Sequence, residues 1–237
     1  MKIISIEGNI GTGKTTFVEL LKQTLSTHYP NHTVIFMKEP VDAWLNLKDD
    51  ATGENILGAF YRSQERWSYS FQMNAFITRI KQTEAILKKY DVVDIDSANK
   101  RDDLILIMER CVYTDRNVFA NLLRESNKIS SMEWKLYDEW FQWLVTKCTH
   151  CLPTHYFYLN ASADVSFIRM RKRDRNEECS ISLKYLQSVE EKHNRWMELI
   201  SVSQKTVWDA NKDFENDSNE RELLYEKINS IINSQSK

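Results

Sequence analysis

The chain has 237 residues, of which 42% are hydrophobic, and it contains only five glycines and three prolines. This composition predicts a single folded domain, residues 1–237, with a full core and no long disordered linker. The formal net charge of −2 gives no argument from bulk charge for a nucleic-acid or anionic-membrane partner.

The amino-terminal residues enter a predicted strand at once. They show no basic leader and no Arg/Ser-rich transit segment, and the chain has no apolar run long enough to cross a membrane. We therefore expect no membrane partner and a cytoplasmic protein. The absence of a transit segment would also suit a viral or microbial source.

A Gly-rich loop lies between the first predicted strand and the first predicted helix. Residues 2–7 form a short β-branched run, which predicts a buried strand, and apolar side chains recur at helical spacing after the loop. The loop has the pattern Gly-x-x-x-x-Gly-Lys-Thr, in which backbone N–H groups and the helix N-terminus bind phosphate oxygens. Lys14 would reach the β- and γ-phosphates of ATP, and the Thr15 hydroxyl would hold Mg²⁺. The predicted ATP-binding residues of the loop are Gly8, Asn9, Ile10, Gly11, Thr12, Gly13, Lys14, Thr15 and Thr16.

Apolar runs alternate with helical patterns along the rest of the chain. The polar segment 46–58, with two glycines, predicts a loop with little regular structure. Alternation of this kind predicts an α/β fold, a five-stranded parallel sheet with helices on both faces. Further strands are predicted at 33–39, 104–108, 154–159 and 205–209. Helices are predicted at 65–90, 115–124, 131–147, 163–173, 183–200 and 223–232.

Polar residues mark the carboxyl ends of the first three predicted strands: Glu7, Glu39 and Glu109-Arg110. Ligand sites of open parallel sheets form at this edge. The chain lacks the Asn-Lys-x-Asp pattern of switch GTPases and the Asp-Glu pair of motor ATPases. A single carboxylate suffices to support hydrated Mg²⁺, and Glu109 is the candidate.

Five of the seven residues from Arg169 to Arg175 are basic. At a helix end they could clamp a transferring phosphoryl group and keep water from it, as a lid at about 169–178. The alternatives are a solvated basic face or a nucleic-acid patch. Because the same chain carries a phosphate-binding loop, we favour the lid.

Two further features have ordinary structural interpretations. The Trp-rich face of helix 131–147 favours core packing or a subunit interface. Cys148 and Cys151 are spaced as Cys-x-x-Cys with His150 between them, but no second ligand pair at zinc-site spacing appears. We interpret these cysteines as reduced thiols at a helix end, with a redox pair as the alternative.

Taken jointly and in order, six segments make the chain resemble a deoxynucleoside kinase of the deoxycytidine, deoxyguanosine and mitochondrial thymidine kinase type. The resemblance spans nearly the whole chain and implies a P-loop kinase fold with a helical, arginine-rich lid. The segments are Gly8–Thr16, Glu39-Pro-Val-Asp-Ala-Trp44, Glu65-Arg-Trp-Ser-Tyr-Ser-Phe-Gln72, Glu109-Arg-Cys-Val-Tyr-Thr-Asp-Arg116, Arg171-Lys-Arg-Asp-Arg-Asn-Glu-Glu178 and Asp213-Phe214.

The resemblance implies ATP-dependent phosphorylation of a deoxynucleoside 5′-hydroxyl, with another nucleoside triphosphate as a possible donor and a homodimer as the assembly. Glu39 would take the hydroxyl proton, Arg110 would orient Glu39, and Lys14 would assist at the phosphates. The implied donor-site residues outside the loop are Arg169, Arg173, Arg175, Asp213 and Phe214, and the metal residues are Thr15 and Glu109. The implied substrate residues are Glu39, Trp44, Tyr61, Gln72, Ala75, Arg79, Arg110, Asp115, Phe119 and Glu178.

Ala75, Arg79 and Asp115 bear on base preference, and the last two are charged. In the resembled family, charged residues at these positions accompany acceptance of deoxycytidine and purine deoxynucleosides, whereas thymidine-preferring members carry uncharged side chains. A charged pair favours an exocyclic amino group and crowds a 5-methyl group. We therefore expect deoxycytidine, deoxyadenosine or deoxyguanosine to be preferred over thymidine.

Two alternatives remain open at this point. A nucleoside monophosphate kinase of the thymidylate kinase type shares the loop and a basic lid, although Glu39-Pro40 suits a neutral hydroxyl acceptor better than a phosphate. A nucleotide-regulated nucleic-acid-binding module would use the basic run 169–175 on a phosphate backbone.

Overall fold

A parallel β-sheet forms the centre of the protein in this computed structural model, which describes residues 1–234 apart from the side chains of Ser26 and Asn176. All neighbouring strands pair in parallel, in the order β2-β3-β1-β4-β5. The predicted five-stranded parallel sheet is therefore confirmed. The strands are β1 (Lys2–Glu7), β2 (Thr33–Met37), β3 (Leu104–Glu109), β4 (His155–Asn160) and β5 (Lys205–Asp209).

Helices cover both faces of this sheet. The α-helices are α1 (Lys14–His28), α2 (Val41–Asn46), α3 (Ile56–Arg62), α4 (Gln64–Lys88), α5 (Ile95–Asn99), α6 (Val112–Thr114), α7 (Asn121–Glu125), α8 (Ser131–Lys147), α9 (Ala163–Arg173), α10 (Leu183–Leu199) and α11 (Ser218–Asn233). A π-helix spans Asp115–Ala120, and 3-10 helices span Thr149–Cys151 and Asn176–Glu178.

Alternate side chains of the buried strands feed two cores. Leu104, Leu106 and Met108 of β3 pack on one face with residues of α4 and α8. Ile105 and Ile107 pack on the other face with residues of α1 and α11. Because side chains of a strand alternate between faces, a strand covered on both sides is apolar on both, as residues 104–108 of β3 are.

Most predicted elements are observed, with local differences. The predicted loop 46–58 was partly wrong, because α2 ends at Asn46, an antiparallel bridge joins Lys48 to Asn55, and α3 starts inside the segment. Strand β2 ends at Met37, two residues before the prediction, so Glu39 lies in the turn beyond it. Helix α11 starts five residues earlier than predicted, at an N-cap where the Asp217 side chain accepts bonds from two backbone N–H groups.

The limits of the described region bear on two expectations. None of the helices within residues 1–234 has both the length and the apolarity that a bilayer-spanning helix needs. The predicted single domain 1–237 includes residues 235–237, which lie outside the described residues.

Candidate active site

A cavity of about 960 Å³ opens at the carboxyl ends of β1, β2 and β3. Its volume is in the range of small-molecule sites. The phosphate-binding loop and the residues after β5 line one end, while α3, α4 and the π-helix line the other. The cavity can therefore hold two ligands that meet near Glu39 and Arg110.

The phosphate-binding loop depends on glycine where it crosses α9. Gly11 has a positive φ of 83°, and a Cβ there would lie 2.2 Å from the Ser166 carbonyl oxygen, so a side chain cannot fit. Lys14 Nζ donates to the carbonyl oxygens of Gly8 and Asn9, at 3.1 and 2.6 Å. Burial, and next the charge of Arg110, hold the pKa of Lys14 well below its usual value. A phosphate placed at this ammonium group would offset both effects.

Thr15 and Glu109 form a small oxygen-rich cluster beside the loop. The Thr15 hydroxyl donates to Glu109 Oε2 at 3.2 Å. The other carboxylate oxygen, Oε1, is buried and has no hydrogen-bond partner among the described residues. Burial, and next the charge of Glu39, raise the pKa of Glu109. An unsatisfied buried carboxylate beside a hydroxyl is a donor set that suits a hard divalent cation.

Glu39 is held by two arginines. Arg110 Nη1 lies 2.9 Å from each carboxylate oxygen, and Arg79 Nη2 lies 3.0 Å from Oε1. Burial opposes ionisation of Glu39, but the charges of Arg110 and Arg79 outweigh it and lower its pKa to about 2. Glu39 is therefore an ionised hydrogen-bond acceptor throughout the physiological pH range.

Arg110 connects three parts of the site. Its backbone has a φ of 57°, a left-handed conformation that is unusual for a side-chain-bearing residue. Its Nη2 donates to the Gly8 carbonyl oxygen at 3.2 Å, and its guanidinium lies 5.0 Å from the Phe119 ring centroid. Arg110 thus ties the phosphate loop to Glu39 and to the aromatic wall of the acceptor end.

Arg79 and Asp115 form a bidentate ion pair. Arg79 Nε and Nη2 donate to the two Asp115 oxygens at 2.8 and 3.0 Å, and Nη1 donates to the Glu109 carbonyl oxygen at 3.0 Å. Asp115 lines the cavity, whereas Arg79, at 1% exposure, lies behind it. The pair therefore presents an acceptor to a ligand, with its counter-ion one layer deeper.

Aromatic side chains and a buried amide line the acceptor end of the cavity. Gln72 is buried, lines the cavity, and has an amide Oε1 without a hydrogen-bond partner among the described residues. The Trp44 indole donates to the Thr78 hydroxyl at 3.0 Å, and its ring packs edge-on against Phe71 at 5.3 Å. Aromatic walls suit a planar heterocycle, and the Gln72 amide can offer it a donor and an acceptor side by side.

Arginines of the basic segment 169–175 make two kinds of contact at the donor end of the cavity. Arg173 and Arg175 donate to the two carboxylate oxygens of Glu178, at 2.5 and 3.1 Å, so Glu178 holds both arginines at the cavity. Arg169 instead donates to the carbonyl oxygens of Ala210 and Lys212, at 2.6 and 3.2 Å. In this structure Arg169 thus fastens the loop after β5, rather than projecting as a free phosphate ligand.

Nearly all predicted site residues line this cavity. Within the described part of the chain, Gly8, Asn9, Thr12 and Arg79 do not line it, and they act from behind through hydrogen bonds. The predicted residues that line it are Ile10, Gly11, Gly13, Lys14, Thr15, Thr16, Glu39, Trp44, Tyr61, Gln72, Ala75, Glu109, Arg110, Asp115, Phe119, Arg169, Arg173, Arg175, Glu178, Asp213 and Phe214.

Several lining residues were not predicted, among them Leu57, Phe60, Phe71 and Tyr185. Burial raises the pKa of Tyr185 to about 12, and burial together with the nearby Tyr185 and Glu178 raises that of Tyr61 well above its usual value. Both phenols therefore stay protonated and can donate hydrogen bonds to a ligand hydroxyl. No motif in the sequence around Tyr185 marks it as a site residue.

Comparisons with known proteins agree on one family. A family model described as deoxynucleoside kinase matches residues 4–233. Deoxycytidine kinase 2 of Gallus gallus is 32% identical over 99% of this chain and 91% of its own length, and human deoxycytidine kinase is 32% identical over 99% and 92%. The mitochondrial deoxyguanosine kinase of Xenopus laevis is 29% identical over 98% and 90%.

Proposed function

Since the chain belongs to the deoxynucleoside kinase family, it is a phosphotransferase that acts on deoxynucleosides with a nucleoside triphosphate as donor, and we propose that it prefers deoxycytidine and purine deoxynucleosides over thymidine. The observation that carries the preference is Asp115, whose carboxylate lines the cavity while its counter-ion Arg79 lies behind.

The base preference follows from donor and acceptor matching. The exocyclic amino group of cytosine or adenine can donate to the Asp115 carboxylate, whereas thymine presents a carbonyl oxygen, an acceptor, together with a methyl group. Guanine also presents a carbonyl oxygen, so this match favours deoxyadenosine among the purine deoxynucleosides. The unpartnered Gln72 Oε1 offers a second acceptor on the same wall. A site with buried polar groups discriminates strongly against a ligand that leaves them unpaired.

The proposed transfer uses Glu39 and Arg110 at the junction of donor and acceptor. The 5′-hydroxyl would donate its hydrogen bond to Glu39 while Lys14, Arg173 and Arg175 stabilise the charge on the phosphoryl oxygens. With a pKa of about 2, Glu39 is ionised at neutral pH, so it can accept the hydrogen bond of the hydroxyl and take its proton as the phosphoryl group is transferred.

Mg²⁺ is the proposed cofactor of the donor. The Thr15 hydroxyl and the Glu109 carboxylate would hold it, and the unpartnered Glu109 Oε1 supports this assignment. When bound, the ion would supply positive charge that neutralises the charge developing on the phosphate oxygens. Thr15 and Glu109 would position it through a hydroxyl and a buried carboxylate.

We also propose a homodimer and a reducing, cytoplasmic location. One face of α8 exposes Trp140 and Trp143, each 53% accessible, with Met132 and Leu136 nearby on the same helix. Large exposed aromatic side chains on one helix face favour a subunit interface.

The four cysteines are all free thiols, which supports the proposed reducing compartment.

A substrate panel tests the function. The four deoxynucleosides, the four ribonucleosides and dTMP are each offered with ATP and Mg²⁺, and kcat/KM is measured. We expect deoxycytidine or a purine deoxynucleoside to give the highest value and dTMP to give none. Thymidine as the best substrate would disprove the proposed preference, and turnover of dTMP alone would indicate a monophosphate kinase.

A further inference from the structure

A second cluster of polar and thiol groups lies at the amino ends of the strands, and the cavity lies at their carboxyl ends. The 3-10 helix Thr149–Cys151 precedes β4, and α5 precedes β3, so both lie at the amino ends of the strands. The carboxyl-terminal part of α4 packs against the same 3-10 helix. This cluster has no part in the proposed phosphoryl transfer.

Three side chains converge there at metal-ligand spacing. Ligand atoms of Glu84, His150 and Cys151 all lie within 4.8 Å of one another. His150 and Cys151 are buried, at 6% and 2% exposure, while Glu84 is exposed, so the cluster has an open side. Cys148 Sγ, 3.2 Å from Glu84 Oε1, adds a fourth potential ligand.

We propose that Glu84, Cys148, His150 and Cys151 bind a thiophilic divalent cation, with Zn²⁺ as the first candidate. Two thiolates, an imidazole and a carboxylate form a donor set that zinc accepts in tetrahedral geometry. Zinc–ligand distances of about 2.0 to 2.3 Å place neighbouring ligand atoms about 3.3 to 3.8 Å apart. The 3.2 Å contact between Cys148 and Glu84 is already near this range, and the ligand atoms of Glu84, His150 and Cys151, which lie within 4.8 Å of one another, need to approach by about 1.5 Å or less.

Local structure favours this set. Cys148 caps the end of α8 and the next three residues form the 3-10 turn, so a four-residue sequence brings two thiols and an imidazole close to Glu84. Glu84 of α4 takes the place that a second Cys/His pair has in many zinc sites.

A cobalt titration tests the proposal. Metal-free, reduced protein at pH 8 is titrated with Co²⁺, which reports thiolate ligation through charge-transfer absorption, and then with Zn²⁺. We expect one Co²⁺ per chain, thiolate-to-cobalt absorption, displacement of Co²⁺ by Zn²⁺, and a higher melting temperature with Zn²⁺. Cys151→Ser and His150→Asn should each weaken binding at least about 100-fold, because loss of an outer ligand partner alone costs 10- to 100-fold.

Two further variants separate metal binding from folding. Cys179→Ser removes an exposed thiol outside the cluster and should leave the titration unchanged. Glu84→Gln changes an exposed helix residue, so it should fold normally, keep nucleoside kinase turnover, and bind Co²⁺ about 10-fold more weakly. Absence of thiolate-to-cobalt absorption in the wild-type protein, or binding that Glu84→Gln and Cys151→Ser both leave unchanged, would overturn the proposal.

Discussion

The Nη1 atom of Arg110 lies 2.9 Å from both carboxylate oxygens of Glu39, at the point where the donor and acceptor ends of the cavity meet. Arg110 reaches this position from a left-handed backbone conformation, with φ of 57°. Such a conformation costs about 1 to 3 kcal/mol and persists only where surrounding contacts fix it. Here its bonds to Glu39 and to the Gly8 carbonyl oxygen do so.

Glu39→Gln tests the role of this carboxylate. Glutamine keeps the size but cannot accept the hydroxyl proton, so we expect kcat to fall about 100-fold or more, as loss of general-base assistance does. Steady-state kinetics with the best nucleoside measure it. Glu65→Gln, an exposed carboxylate on α4 paired with Lys128, is the matched control and should keep normal kcat. A near-normal kcat in Glu39→Gln would refute the assigned role.

The low pKa of Glu39 predicts a pH dependence of stability. Its pKa in the folded protein, about 2, lies below the unfolded value near 4.5, so its contribution to folding is complete above pH 4.5 and is lost as pH falls towards 2. The wild-type free energy of unfolding, relative to that of Glu39→Gln, should therefore fall by about 1.4 kcal/mol per pH unit below 4.5. Urea unfolding at pH 5.5 and 3.5 measures the difference, which would stay constant if Glu39 had an ordinary pKa.

The strands and the phosphate-binding loop could be predicted because their signals are local. An apolar run such as 104–108 or the Gly-Lys-Thr spacing needs no knowledge of distant contacts. The short helices α2, α3 and α5 escaped prediction because five to seven residues give too few helical repeats for a pattern. The role of Arg169 was also beyond local patterns, because the carbonyl oxygens that it binds belong to Ala210 and Lys212, in the loop after β5.

The π-helix at Asp115–Ala120 shows the same limit within the candidate site. Sequence patterns predicted an ordinary helix at 115–124, since nothing in the side chains distinguishes the wider turn. Such turns occur often at functional sites, and this one places Asp115 and Phe119 on the cavity wall. Only the family resemblance paired Arg79 with Asp115 in the sequence. The position of Arg79 behind the cavity wall depends on three-dimensional packing.

The proposed Mg²⁺ site at Thr15 and Glu109 predicts how the Mg²⁺ concentration needed for turnover changes in variants. Thr15→Ala and Glu109→Gln should each raise the Mg²⁺ concentration for half-maximal turnover about 10-fold, because each removes an oxygen that positions the ion. Thr15→Ser keeps the hydroxyl and should remain close to the wild type. Activity titrated with Mg²⁺ at fixed ATP provides the measurement, and equal curves for the alanine and serine variants would contradict the assignment.

Asp115→Asn should change base preference. Loss of the charged acceptor should lower the ratio of kcat/KM for deoxycytidine to that for thymidine by about 10- to 100-fold, the value of a hydrogen bond to a charged group. A ratio within one variant is insensitive to partial loss of folded protein. Asp138→Asn removes a similar ion pair, with Arg116, outside the cavity lining and should leave the ratio unchanged. An unchanged ratio in Asp115→Asn would show that another group selects the base.

The exposed tryptophans of α8 predict the assembly. Replacing Trp140 and Trp143 together by glutamate places two charges on the proposed interface, so we expect the dimer to dissociate to monomers in sedimentation velocity experiments. Leu199 and Val202 are more exposed, at 84% each, but lie at and just beyond the end of α10, and their double replacement by glutamate should leave the dimer intact. A wild-type protein that sediments as a monomer, or a dimer that survives the tryptophan replacements, would exclude this face as the interface.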